Sequence, residues 1–125
     1  MKFRAICENH LYSTAYSKGK RAVTRNLAVY VLPDYMAERL RRAHPQRIRV
    51  NRIGLTVTKK LGGAVVRNRT KRILREAYRM VAQECPIKTG FLVVIAARAP
   101  ATEMNSPALA EDLRYALRKM NMLDA

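Results

Sequence analysis

Along the segment from Ala64 to about Glu84, apolar and basic residues recur in a pattern that suits one regular structure, the α-helix. At about 100° per residue, Val66, Thr70, Ile73, Leu74, Ala77, Met80 and Val81 gather on one side. Arg67, Asn68, Lys71, Arg72, Arg75 and Arg79 gather on the other, three or four apart, with only Glu76 near the border to relieve their repulsion. Like charges at that spacing destabilise an isolated helix, so the apolar side must be packed and the basic side must meet something anionic. Pro86 sets the end, because the residue before a proline disfavours helical geometry.

The rest of the chain supplies what this helix packs on. Glu8 to Lys18 reads as a short helix stopped by Gly19, with Cys7, Leu11 and Ala15 as an apolar stripe and Tyr12 and Tyr16 further round. A strand is expected over Val23–Leu32, with Val23, Leu27, Val29 and Val31 on its core face and Thr24, Asn26, Ala28 and Tyr30 on the other. After Pro33-Asp34 the pattern allows a short basic helix over Tyr35–Ala43. A second strand runs from about Ile48 to Thr58, with Ile53, Leu55 and Val57 on one face and Arg52, Gly54, Thr56 and Thr58 on the other. Phe91–Arg98 is a buried strand, and Ser106-Pro107 opens a last helix whose stripe is Leu109, Leu113, Ala116, Leu117 and Met120. This is one α+β domain over residues 1–125, a two-layer sandwich with helices packed on one face of a small sheet. The sheet's other face is too polar for core and is left free to bind something extended.

Charge says what that partner is. The chain has 25 Lys+Arg against 9 Asp+Glu, a formal charge of +16. Between Arg39 and Arg79 stand 14 of those basic residues and a single acid, Glu76. Solvated faces normally mix signs, so a one-sign stretch points to a polyanion, and arginine's planar fork suits phosphate oxygens in particular. Asn68 adds a contact to hydroxyls or base edges that neither cation supplies. The longest apolar run, Phe91–Ala97, is far short of the ~20 residues of a membrane span, and no signal-peptide pattern precedes Glu8, so a cytoplasmic protein is expected. Cys7 and Cys85 are far apart, and with His10 and His44 they make no zinc spacing. The acids form no D-x-D or similar pair that would hold two metal ions, which argues against a free-standing nuclease. A DNA-reading helix pair is not visible, and a structural RNA-binding protein of the ribosomal kind would share the charge but need no aromatic cleft.

The run Ile53-Gly54-Leu55-Thr56-Val57-Thr58-Lys59-Lys60-Leu61-Gly62-Gly63-Ala64-Val65-Val66-Arg67-Asn68-Arg69-Thr70-Lys71-Arg72-Ile73-Leu74-Arg75-Glu76 closely resembles the signature of the bacterial ribonuclease P protein subunit, including its Arg-Asn-Arg motif. An aromatic pair in the first helix, a tyrosine on the first strand and Ala97-Arg98-Ala99-Pro100 after the third strand extend the resemblance. The resemblance implies a left-handed βαβ crossover, against the general right-handed preference. It implies a protein subunit of the endoribonuclease that removes the 5′ leader from precursor tRNA, with the catalytic centre in the RNA subunit and no catalytic residue in this chain. Ribonuclease P RNA and the precursor leader would be the partners, with no membrane or small-molecule substrate. Mg2+ would be held mainly through the RNA subunit, and no metal position in the protein is assigned. Carried over by motif, Lys59, Lys60, Arg67, Asn68, Arg69, Lys71, Arg72 and Arg75 meet the RNA subunit, and Tyr12, Tyr16 and Tyr30 line a cleft for the leader. Arg69 lies near the edge of the apolar stripe, where an ion pair with Glu76 competes with an RNA contact.

Overall fold

The computed structural model describes residues 3–5, 9–34 and 51–123. Its elements in chain order are β1 (Phe3–Ala5), α1 (Asn9–Lys18), β2 (Lys20–Val23), β3 (Leu27–Pro33), β4 (Asn51–Thr56), α2 (Ala64–Glu84), β5 (Phe91–Ala97) and α3 (Ser106–Lys119). The strands form one mixed sheet in the order β1-β4-β5-β3-β2. The expected helix over Tyr35–Ala43 lies outside the described residues, as do the first residues of the expected second strand. No helix among the described residues is long and apolar enough to cross a membrane.

The segment read as one strand from Val23 to Leu32 is two. Thr24 reverses the chain between them: its N–H donates to Leu27 O at 2.7 Å, and its Oγ1 accepts from Leu27 N at 3.0 Å. Strand β2 then pairs antiparallel with β3, Ala22 opposite Val29. In consequence Val23 does not share the core face with Leu27, Val29 and Val31; Ala22 is buried in its place and Val23 is 44% exposed.

Leu27, Val29, Val31, Ile53, Val93 and Ile95 bury one face of the sheet under α2 and α3. From α2 come Leu74, Ala77, Tyr78 and Val81, and from α3 Leu109, Leu113, Ala116 and Leu117. All helices were expected on this face, and α1 departs from it. Leu32, Leu92 and Val94 point the other way and form a second cluster with Ala15, packed by Leu11, Tyr12 and Tyr30. The reason is composition: β5 is apolar on both faces and Leu32 adds to the second one, so one helix layer cannot cover all of it. The helix α3 is also capped one residue earlier than the Ser106 hydroxyl would place it, by Asn105, whose side chain accepts from Ala108 N.

Strands β4 and β5 are parallel neighbours joined through α2, with Ile53 opposite Val93. Asp34 N donates to Gly90 O, so Gly90 turns its peptide group to β3, and Phe91, Val93 and Ile95 turn theirs to β4. Phe91 N accordingly donates to Asn51 Oδ1 at 3.0 Å. The side chains of Phe91, Val93 and Ile95 lie on the α2 side. For L-residues this places β4 to the right of β5 when the sheet is viewed from α2 with both strands running upward. The chain thus steps leftward over α2, a left-handed crossover of the rare kind that the resemblance implies.

Candidate RNA interface

Helix α2 spans the expected residues and buries Thr70, Leu74, Ala77, Tyr78 and Val81. Tyr78, absent from the expected stripe, is its largest buried side chain, and Val66 at the other end is 37% exposed. Thr70 is tolerated inside because its hydroxyl donates to Val66 O at 2.8 Å. Tyr78 Oη accepts from Asn51 Nδ2 at 3.1 Å. That amide also donates to Lys88 O at 2.9 Å, so a fully buried asparagine ties α2, β4 and the approach to β5 together. Burial raises the Tyr78 hydroxyl above its ordinary 10.0, opposed by the hydrogen bond from Asn51.

The outward side of α2 is cationic as the sequence indicates. Lys59 and Lys60 are exposed on a 3-10 turn ahead of it; Asn68, Arg69, Arg72 and Arg75 are exposed, and Arg67 and Lys71 half-buried. Among the described residues Arg67, Lys71, Arg72 and Arg75 make no ion pair, and Arg67 Nε is shielded from solvent without a partner. Glu76 pairs instead with Arg79, at 3.1 Å. The expected alternative of an Arg69–Glu76 pair is not formed, because seven residues of helix separate them by about 10 Å of rise. Arg69 Nη1 donates to Thr102 O at 3.2 Å, which holds the start of α2 to the 3-10 turn Ala99–Glu103. No acid and no side-chain cap occupy the first turn of α2, so its free N–H groups add to the positive end. Of the glycine pair, Gly62 is the constrained one: its φ is 148°, and an added Cβ would lie 3.0 Å from Val66 Cβ. Gly63 has open space around it.

On the opposite face of the sheet the three tyrosines come together, where α1 crosses the strands. Tyr30, Val94 and Gly54 stand side by side on β3, β5 and β4. The Tyr12 ring lies over Gly54, where an added Cβ would be 2.6 Å from its Cε1. Tyr16, 42% exposed, meets Tyr30 edge to face at 4.9 Å between ring centroids. Its hydroxyl shares a 2.7 Å hydrogen bond with Thr56 Oγ1. The next row along the sheet is Ala28, Ala96 and Thr56, small side chains that leave a shallow trough beside the exposed Tyr16 ring. The sequence alone puts Gly54 and Thr56 on this face and assigns them no role, although a glycine inside a strand is a legible sign of a close approach.

Not all of the polar face is open. Thr24 Oγ1 and Asn26 Nδ2 donate to Asp112 Oδ2 on α3, at 3.1 and 2.7 Å, so both residues belong to the α3 side. Arg52 forms a two-point pair with Asp34, Nε to Oδ2 at 2.6 Å and Nη2 to Oδ1 at 2.8 Å. That carboxylate is only 2% exposed, which makes Arg52 a structural residue. The trough is therefore confined to the end of the sheet where β4 leaves at Thr56 and the chain turns through Lys59 and Lys60 into α2. Among the described residues no group of three His, Cys, Asp or Glu side chains could hold a metal ion.

The family model for ribonuclease P matches residues 1–121. The ribonuclease P protein component of Bacillus cereus is 35% identical over 121 residues, covering 97% of this chain and 94% of that protein. That of Alkaliphilus metalliredigens is 31% identical over 116 residues, covering 93% and 92%. The solved RNase P protein of Staphylococcus aureus superposes with a TM-score of 0.75 at 27% identity, covering 98% of this chain and 100% of that one. With the family model covering nearly its whole length, the chain belongs to the ribonuclease P protein family.

Proposed function

We propose that this subunit of an endoribonuclease complex binds the catalytic RNA of ribonuclease P along the outward face of α2, and holds the single-stranded 5′ leader of precursor tRNA in the tyrosine trough. The observation that carries this reading is the Tyr16–Tyr30–Thr56 arrangement, opening at the end of the sheet from which the cationic turn and helix start. Bases stack on an aromatic face without sequence preference, at ~1 to 3 kcal/mol each, which suits a leader of variable sequence. Lys59, Lys60, Arg67, Asn68, Lys71, Arg72 and Arg75 meet phosphates and hydroxyls of the RNA subunit, and Arg69 combines its tie to Thr102 with a contact of the same kind. The phosphodiester is cut by the RNA subunit in the cytoplasm, with Mg2+ held mainly there.

The test is cleavage of a precursor tRNA by bacterial ribonuclease P RNA at low Mg2+, with and without the protein. Protein-dependent formation of the mature 5′ end, and no cleavage by protein alone, is the expected result. Binding of the RNA without any gain in cleavage would leave a structural RNA-binding role instead.

A further inference from the structure

At the end of the sheet away from the trough lies a cavity of about 340 Å³ that neither the trough nor the α2 face includes. Its rim carries Lys18 and Lys20, from the α1–β2 junction, and Lys88, from the approach to β5, and no acid among the described residues lines it. Phe91, Met120 and Met122 form apolar wall, with Pro33 and Asn121 at the margin. The frame is fixed. Lys88 N donates to Met122 O at 2.8 Å, Lys88 O accepts from buried Asn51, and Ile87 bridges Leu123. Helix α3 ends in hydrogen bonds from Met122 N to Leu117 O and from Asn121 N to Arg118 O, with Asn121 in the left-handed region at φ 59°, which fixes the turn that carries Met120 and Met122 into the wall.

Three lysines lining a largely apolar hollow suit a ligand with an apolar body and more than one negative charge close by. The volume is near the small end of the roughly 300 to 1,000 Å³ typical of ligand sites. It admits a single nucleotide and is too small for a duplex. We propose that this cavity takes one unstacked nucleotide of single-stranded or bulged RNA, its base against Phe91 and the methionine side chains and its flanking phosphates on Lys18, Lys20 and Lys88. The Asn121 amide stands where it can meet a base edge. The inference rests on the chain's being an RNA-binding protein and adds a second, separate contact. Phe91 and Ala96 stand five positions apart on β5, roughly 17 Å of strand, so cavity and trough are distinct places.

The test follows the Met120 and Met122 methyl signals of the full chain, labelled at methionine, while adenosine 5′-monophosphate is added. Saturable shifts of these two signals are expected, with binding weakened by roughly tenfold or more when Lys18→Gln, Lys20→Gln and Lys88→Gln are combined. Tyr16→Ala should leave these shifts in place, although it weakens binding of leader-bearing precursor. Absence of shifts in the unaltered protein, or equal affinity in the triple variant, would overturn the proposal. So would shifts produced by 1-naphthoate and not by the nucleotide, which would mark a site for small organic acids. Loss of the Tyr16 effect on leader binding with the methyl shifts intact would count against the trough alone.

Discussion

Single residues decide whether the trough exists. Gly54 is one: its missing side chain is what the Tyr12 ring occupies. In Gly54→Ala the clashing atoms belong to the far end of a tyrosine side chain, which can swing away, so stability should change by about 1 kcal/mol or less. The displaced ring should nevertheless weaken binding of leader-bearing precursor several-fold and leave leaderless tRNA unaffected, measured by titration of the assembled complex; equal weakening on both would place Tyr12 outside the trough. Arg52 works in the opposite sense. Arg52→Met removes the two-point partner of a nearly sealed carboxylate, and one-sided loss of a buried pair costs about 3 to 5 kcal/mol. Urea unfolding should show a drop of that order, which an exposed pair such as Arg79–Glu76 would not give on truncation.

Among the elements, α2 joins the two halves of the chemistry. If its outward cations neutralise RNA phosphates as proposed, Arg67→Ala or Arg75→Ala should weaken RNA-subunit binding and reduce the salt slope by about 0.7 to 0.9 for each phosphate no longer neutralised. Unchanged affinity and slope in both variants would move the interface elsewhere. Its inward side is held by Tyr78 on Asn51, and the hydroxyl stays neutral longer in the folded chain than in the unfolded one. A raised folded value means the folded state binds the proton more tightly, so this contribution is complete below the ordinary 10.0 and is lost as pH rises above it. Tyr78→Phe should cost about 1 kcal/mol at neutral pH. It should also flatten the alkaline part of the stability profile, as followed by thermal unfolding between neutral and strongly alkaline buffers.

For the whole molecule the governing quantity is the charge of +16, of which few members are paired within the described residues. Self-repulsion of this size opposes the compact state and is relieved by screening or by a bound polyanion. The melting temperature should therefore rise as salt increases from about 20 to 200 mM, across which the screening length shortens from roughly 20 to 7 Å. Adding ribonuclease P RNA at low salt should raise it further. A melting temperature independent of salt would mean the cations are already compensated within the fold.

Much of this was legible in one dimension. The α2 helix, its basic face, the β5 strand and the α3 stripe all follow from local periodicity, because each buries one side and the spacing of apolar residues records which side that is. The left-handed crossover came from resemblance, and in the fold it can be read from the direction of the β5 peptide groups. Local pattern could not divide Val23–Leu32 into two strands, since Thr24 reverses the chain through hydrogen bonds to Leu27 and Asp112 rather than through a glycine or proline. Nor could it assign Arg52, Thr24 and Asn26, whose polarity looks like solvent exposure until a buried carboxylate or an α3 side chain is brought against them. By itself the sequence determined α2, β5 and α3, the excess of positive charge and the family. Only the tertiary structure decided that α1 lies across the face opposite α2, and so that Tyr12, Tyr16 and Tyr30 meet over Gly54 and Thr56. The choice of face is settled by the packing of Ala15 on Leu32, Leu92 and Val94, neighbours in space but distant in the chain, which leave no periodicity behind.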